Sequence, residues 1–163
     1  MLSKKMEKAL NGQVNAELYS SYLYLSMAAN FTAQNWVGAA KWMRVQAKEE
    51  LAHAMKIYDF ILECNSQVVL DPIAKPQTQW PAPPAAFEAA YAHEQKVTGL
   101  INGLVDVAHA QNDHATANFL QWFVNEQVEE ESNALTIVQQ LRLIGDSKDA
   151  MFMLDRELGK RGE

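Results

Sequence analysis

Four stretches of this chain repeat apolar residues at spacings of three and four for 27 residues or more, and each stripe is broken near its middle by an acid. The first stretch spans about 3–32, with an inner stripe of Leu10, Val14, Glu17, Ser21, Tyr24 and Ala28. The second, about 37–63, carries Met43, Gln46, Glu50, His53, Ile57 and Phe60. The third, about 84–111, follows Pro83-Pro84, where proline suits a first helical turn. Its stripe is Phe87, Tyr91, Glu94, Thr98, Ile101, Val105 and Ala108. Asn112-Asp113 supplies a turn and an N-cap for the fourth, about 113–144, with Leu120, Phe123, Gln127, Glu130, Ala134, Ile137 and Leu141 inside. Gly145 is placed as a C-terminal cap, and a short fifth helix over about 147–158 carries Met151, Phe152, Leu154 and Leu158. Val68-Val69-Leu70 is the only β-like run, so the expected class is all-α.

The connections fix the topology. Segments one and two are joined tightly, as are three and four, so each pair forms an antiparallel hairpin. Between the pairs lie about 20 residues, 65–84, containing Pro72, Pro76, Pro81 and Pro83. Extended at ~3.3 Å per residue, that stretch reaches roughly 65 Å. A helix of ~28 residues is roughly 42 Å long. The connection can therefore run the whole length of a bundle and make helices two and three parallel. The expectation is one domain over 1–163: a four-helix bundle with one long crossover and a short fifth helix.

Composition removes several function classes. A net charge of −6 and a pI near 5.2 argue against nucleic acid as a main partner. Cys64 is the single cysteine, which excludes an internal disulfide and any thiolate-rich metal site within one chain. No apolar run approaches the ~20 residues a membrane span needs. The N-terminus passes directly into an amphipathic pattern without a signal-peptide core, so a cytoplasmic location is expected.

The acids in the stripes carry the chemistry. Glu50 and His53 are three apart, on one side of a helix, where carboxylate and imidazole can grip one ion. Glu17, Glu94 and Glu130 add a carboxylate from each of the other helices. A buried unpaired carboxylate costs several kcal/mol or gives up its charge. Lys41, Arg44, Lys48, Lys56 and Lys96 all fall off the stripes, so no side-chain cation is placed to compensate. A shared metal resolves the conflict. Carboxylates with imidazole and no thiolate suit iron or manganese better than copper, and four carboxylates neutralise two divalent ions. Di-iron bundles use a Glu from each of two helices and Glu-x-x-His from the other two. Here Glu17 and Glu94 are the lone acids, Glu50-x-x-His53 is one full motif, and Gln127-x-x-Glu130 replaces the second.

These residues resemble the ferritin family, specifically its prokaryotic non-haem members. The most specific stretches are 15–24 around Glu17, 49–55 around Glu50, and 118–131 from Asn118 to Glu131. The resemblance implies a ferritin-like fold and a ferroxidase centre. Glu17, Glu50 and His53 would hold one iron; Glu50 would bridge to a second held by Glu94 and Glu130, with Gln127 close by. Tyr24 matches a tyrosine that neighbours the centre, able to donate an electron or a hydrogen bond. Glu49, Glu126 and Glu129, with Glu130, match a third iron site. The implied function is iron storage, with Fe(II) and dioxygen or peroxide as substrates and a homo-oligomeric cage of 24 subunits.

The chain also departs from relatives of that family. Leu51 stands where bacterioferritins place a haem-ligating methionine, so no haem is expected. Ala117 and Leu120 occupy positions that animal ferritins use for acidic channel residues. Two other readings remain. A non-enzymatic helical interaction protein fits if the carboxylates face water, and a ferritin-like peroxidase fits the ligand set, although a rubrerythrin-like one would bear a Cys-x-x-Cys pair.

Overall fold

A computed structural model describes residues 2–162. It contains α1 (Lys4–Ala33), α2 (Val37–Glu63), α3 (Pro83–Ala110), α4 (His114–Ile144) and α5 (Lys148–Leu158), with no strand among the described residues. The helices start where the sequence offers an acceptor. Ser3, Asp113 and Ser147 each accept from the backbone N–H three residues on, at 3.0, 3.0 and 3.3 Å. The first three helices each end before an asparagine with positive φ: Asn35, Asn65 and Asn112, at 63°, 53° and 53°. Asparagine tolerates that left-handed turn better than most residues, and Gly145 does the same after α4.

α2 has no cap of its own, because Trp36 precedes it. The Asp155 carboxylate of α5 supplies one, accepting from the N–H groups of Gly38 at 3.1 Å and Ala39 at 2.8 Å. At Gly38 a side chain is impossible, since a Cβ would lie 1.6 Å from the Asp155 carbonyl oxygen. α5 is thus fixed at the end of the bundle where α1 meets α2.

α1 packs along α2, and α3 along α4. The long connection behaves as a strap laid along α1. Asn11 donates to the Gln67 carbonyl at 2.9 Å and accepts from Val69 N–H at 2.7 Å. Farther up, Asn15 donates to Asp71 O at 3.1 Å, Ser26 to Gln77 O at 2.7 Å and Gln34 to Trp80 O at 2.8 Å. The strap therefore climbs the full helix in the direction of α1 and delivers α3 parallel to α2, as its length predicts. The Val68-Val69-Leu70 run forms no ladder.

The core divides in two. Met27, Phe31, Met43, Phe87 and Leu141 pack in the half nearest α5, and Met6, Leu10, Ile57, Ile101 and Leu120 in the other. The stripes hold at most positions, but in α3 Tyr91, Thr98 and Val105 are only half-buried, and Ala90, Val97 and Leu104 are buried beside them. Ser21 is only half-buried and donates to Ala47 O at 2.7 Å, joining α1 to α2 instead of entering the core. Ile61 takes the fully buried place expected for Phe60, which stacks on Phe119 at 3.8 Å at the core edge. Phe152 points outward, 63% exposed, while Met151 and Leu158 make the inward face of α5.

Candidate metal centre

Between the two apolar halves the four helices converge on acids. Glu17, Glu50 and Glu94 are each 1% exposed, and His53, Gln127 and Glu130 are buried beside them. One oxygen or nitrogen from each of Glu17, Glu50 and His53 lies within 4.8 Å of the others. The same holds for Glu50, Glu94 and Glu130, and for His53, Glu126 and Glu130. Glu50 belongs to the first two groups, so its carboxylate stands between two possible ion positions.

The surrounding bonds hold these acids without neutralising them. Gln13 donates to Glu17 at 2.8 Å. Gln46 donates to Glu50 and Glu130, both at 2.8 Å, tying α2 to α4. Gln127 donates to the Glu94 carboxylate at 3.2 Å and lies 3.4 Å from Thr98 Oγ1. The Tyr24 hydroxyl donates to Glu94. Behind Tyr24, the His93 ring stands edge-on at 6.1 Å and shares a 2.7 Å hydrogen bond with Ser20. Trp122 and Phe123 wall His53 edge-on, with ring centroids at 5.3 and 6.1 Å.

Burial dominates the electrostatics. It raises Glu17 to about 8, helped by the Glu50 charge. It raises Glu130 to about 7, helped by Glu94. Glu50 is pushed well up by burial and by Glu94 and Glu130, and Glu94 is raised by burial against the pull of the Tyr24 and Gln127 bonds. Burial next to Glu94 also keeps the Tyr24 phenol protonated far above its ordinary range. His93 is driven down to about 4 by burial and by Lys96.

Two buried atoms find no hydrogen-bond partner here: Glu17 Oε2 and Gln46 Oε1. Glu17 belongs to the first carboxylate group, and a buried carboxylate oxygen left unpaired among other acids suits a cation. The donor set, oxygen-rich with one imidazole, fits iron. The burial also removes the premise of a water-facing interaction module.

The structure gathers Glu17, Glu50, His53, Glu94, Gln127, Glu130 and Tyr24. Of the third set, Glu126 approaches His53 at 3.8 Å, Glu129 is exposed, and Glu49 pairs with Arg161 instead. Gln13 and Gln46 were not singled out by sequence reasoning. Their signal was present, because each stands four residues before a central glutamate, the spacing at which side chains on a helix meet.

The class so defined is a carboxylate-rich, metal-binding four-helix bundle with one long crossover. Residues 7–144 match the model of the family described as Ferritin-like domain, and the chain belongs to the ferritin family. It is 41% identical to a bacterial non-heme ferritin of Bacteroides fragilis over 99% of this chain and all of that one. It is 36% identical to one from Escherichia coli over 97% and 96% of the two chains. A crystal structure described as a novel open pore ferritin from the archaeon Archaeoglobus fulgidus superimposes with a TM-score of 0.98, at 53% identity and covering 99% of both chains.

Proposed function

We propose that this protein stores iron by oxidising Fe(II) at the buried acids and confining the product as ferric mineral. The observation that carries this is the pair of carboxylate groups sharing Glu50, buried and, among the described residues, with no Lys or Arg bonded to them. Glu17, Glu50 and His53 would take one ferrous ion, and Glu50, Glu94 and Glu130 the other. Two ferrous ions give up two electrons, which with two protons reduce dioxygen to hydrogen peroxide, or peroxide to water. Gln13, Gln46 and Gln127 orient the carboxylates, so little rearrangement is needed when charge changes. Tyr24, held protonated against Glu94, is placed to pass one further electron or to steady that carboxylate. Trp122 and Phe123 keep water from His53.

Storage needs an enclosed volume, which one bundle lacks. Phe152, Met153 and Leu143 remain exposed, apolar surface that neighbouring subunits of a 24-subunit cage would cover. Among the described residues no helix is long and apolar enough to cross a membrane; membership of the ferritin family is what supports the cytoplasm as the location we assign. Anaerobic Fe(II) titration tests the reading. Binding of about two ions per subunit, then a transient di-ferric absorbance on adding oxygen, supports it; no stoichiometric uptake contradicts it. Native mass separates a cage from a lone bundle.

A further inference from the structure

Positive charge is gathered in one place on this acidic protein. A cleft of about 530 Å³ lies between the first half of α2 and the C-terminal tail, and Lys41, Arg44, Lys48 and Arg161 line it, four of the chain's 14 basic residues. No carboxylate is among the described residues that line it. Residues 41, 44 and 48 share one face of α2, because spacings of three and four stack side chains on a helix. The tail supplies the fourth cation. Asp155 anchors α5 on the first turn of α2, and Gly162, at φ 80°, brings the tail against Val45. Between these points the Arg161 guanidinium lies 4.2 Å over the Trp42 ring and bonds through Nη2 to Glu49. Its Nη1 is buried and finds no acceptor. Among the described residues neither Arg44 nor Lys48 is bonded to an acid.

We propose that this cleft binds a condensed phosphate, a di- or triphosphate either free or carried by a nucleotide. Left to itself the arrangement is repulsive. Like charges four apart on a helix destabilise it, and these cations sit nearer the positive end of the α2 dipole than the negative one. An anion relieves both conflicts. A phosphate oxygen is also the acceptor that Arg161 Nη1 lacks, and a guanidinium fork suits phosphate geometry. The cations are spread over about 10 Å of the α2 axis, seven residues at 1.5 Å each. That span is too long for one phosphate and matches a short chain of them. The net charge of −6 repels anions from afar, but salt screens that repulsion beyond ~8 Å, inside which the cleft acts.

Calorimetric titration of the assembled, iron-free protein tests this, with tripolyphosphate, ATP and inorganic phosphate as probes at one ionic strength. About one tripolyphosphate per subunit should bind at least about tenfold more tightly than inorganic phosphate, a gap of about 1.4 kcal/mol. Arg44→Gln with Lys48→Gln should weaken tripolyphosphate binding by about tenfold or more; both side chains are exposed, so the bundle stays folded. Arg161→Gln should weaken binding as well, and Arg161→Lys, which keeps the charge but loses the fork, should fall between it and wild type. Lys75→Gln removes an equal charge from the strap and should change nothing. ATP binding no tighter than tripolyphosphate supports the free phosphate chain as ligand, and tighter binding supports a nucleotide. The absence of saturable binding, equal affinity for inorganic phosphate and tripolyphosphate, or the same loss in Lys75→Gln as in the double variant overturns the proposal.

Discussion

The two apolar halves and the acidic layer between them are built from the same four helices, yet they follow opposite rules. Phe31, Phe87 and Met43 on one side, and Leu10, Ile57 and Leu120 on the other, gain stability simply by leaving water. Glu17, Glu50, Glu94 and Glu130 leave water equally completely and lose by it. The bundle tolerates the layer because apolar packing holds it from both ends, with the strap and Asp155 fixing the helix ends. Stability resides in the halves and chemistry in the middle, so changes in each should be separable.

The largest effect should come from emptying the middle. Glu50→Ala with His53→Ala removes ligands from every carboxylate group, and oxidation should slow on the order of 100-fold or more. Because the halves are untouched, the iron-free protein should stay folded, its melting temperature set by the relief of crowding among the acids against the cavity left by two buried side chains. Stopped-flow absorbance and circular dichroism check both; an undiminished rate would break the division. The converse change is Phe87→Ala, which should cost about 3–5 kcal/mol of stability while ion stoichiometry stays as in wild type.

Acidity offers a third contrast. Glu17 keeps its proton up to about 8 in the folded chain and Glu130 up to about 7, whereas both lose it near 4.5 when unfolded. The native state then binds more protons across that window, so stability of the iron-free protein falls as pH rises from 5 to 8. Bound ions replace those protons, and the loaded protein should show no such decline. Melting temperatures of both forms across the window provide the check, and a flat iron-free profile would contradict the account. The smallest change is Tyr24→Phe: full ion uptake, with oxidation slowed only several-fold, about the weight of one hydrogen bond of ~1 kcal/mol.

The helical period made the stripes legible, and the length of the proline-bearing connection made the topology legible. The acids stood out because they violate that same period. Gln46 stood in its stripe without a role, because an amide raises no charge conflict, and Gln13 lay outside the first stripe; only coordinates show Gln13 bonded to Glu17 and Gln46 joining Glu50 to Glu130. Arg161 was invisible for another reason. It reaches Glu49 across 112 positions of sequence, through a dock that depends on Asp155 meeting Gly38, and no local pattern encodes that meeting.

Proton release on metal loading tests the central claim most directly. Oxygen-free Fe(II) titration at pH 6.5, run in two buffers of different ionisation enthalpy, counts protons expelled per ion. Glu17 and Glu130 are mostly protonated at that pH and Glu50 and Glu94 are raised, so filling the layer should expel at least about two protons per subunit. Stoichiometric uptake with no proton release would mean that the ions bind elsewhere, on acids already charged.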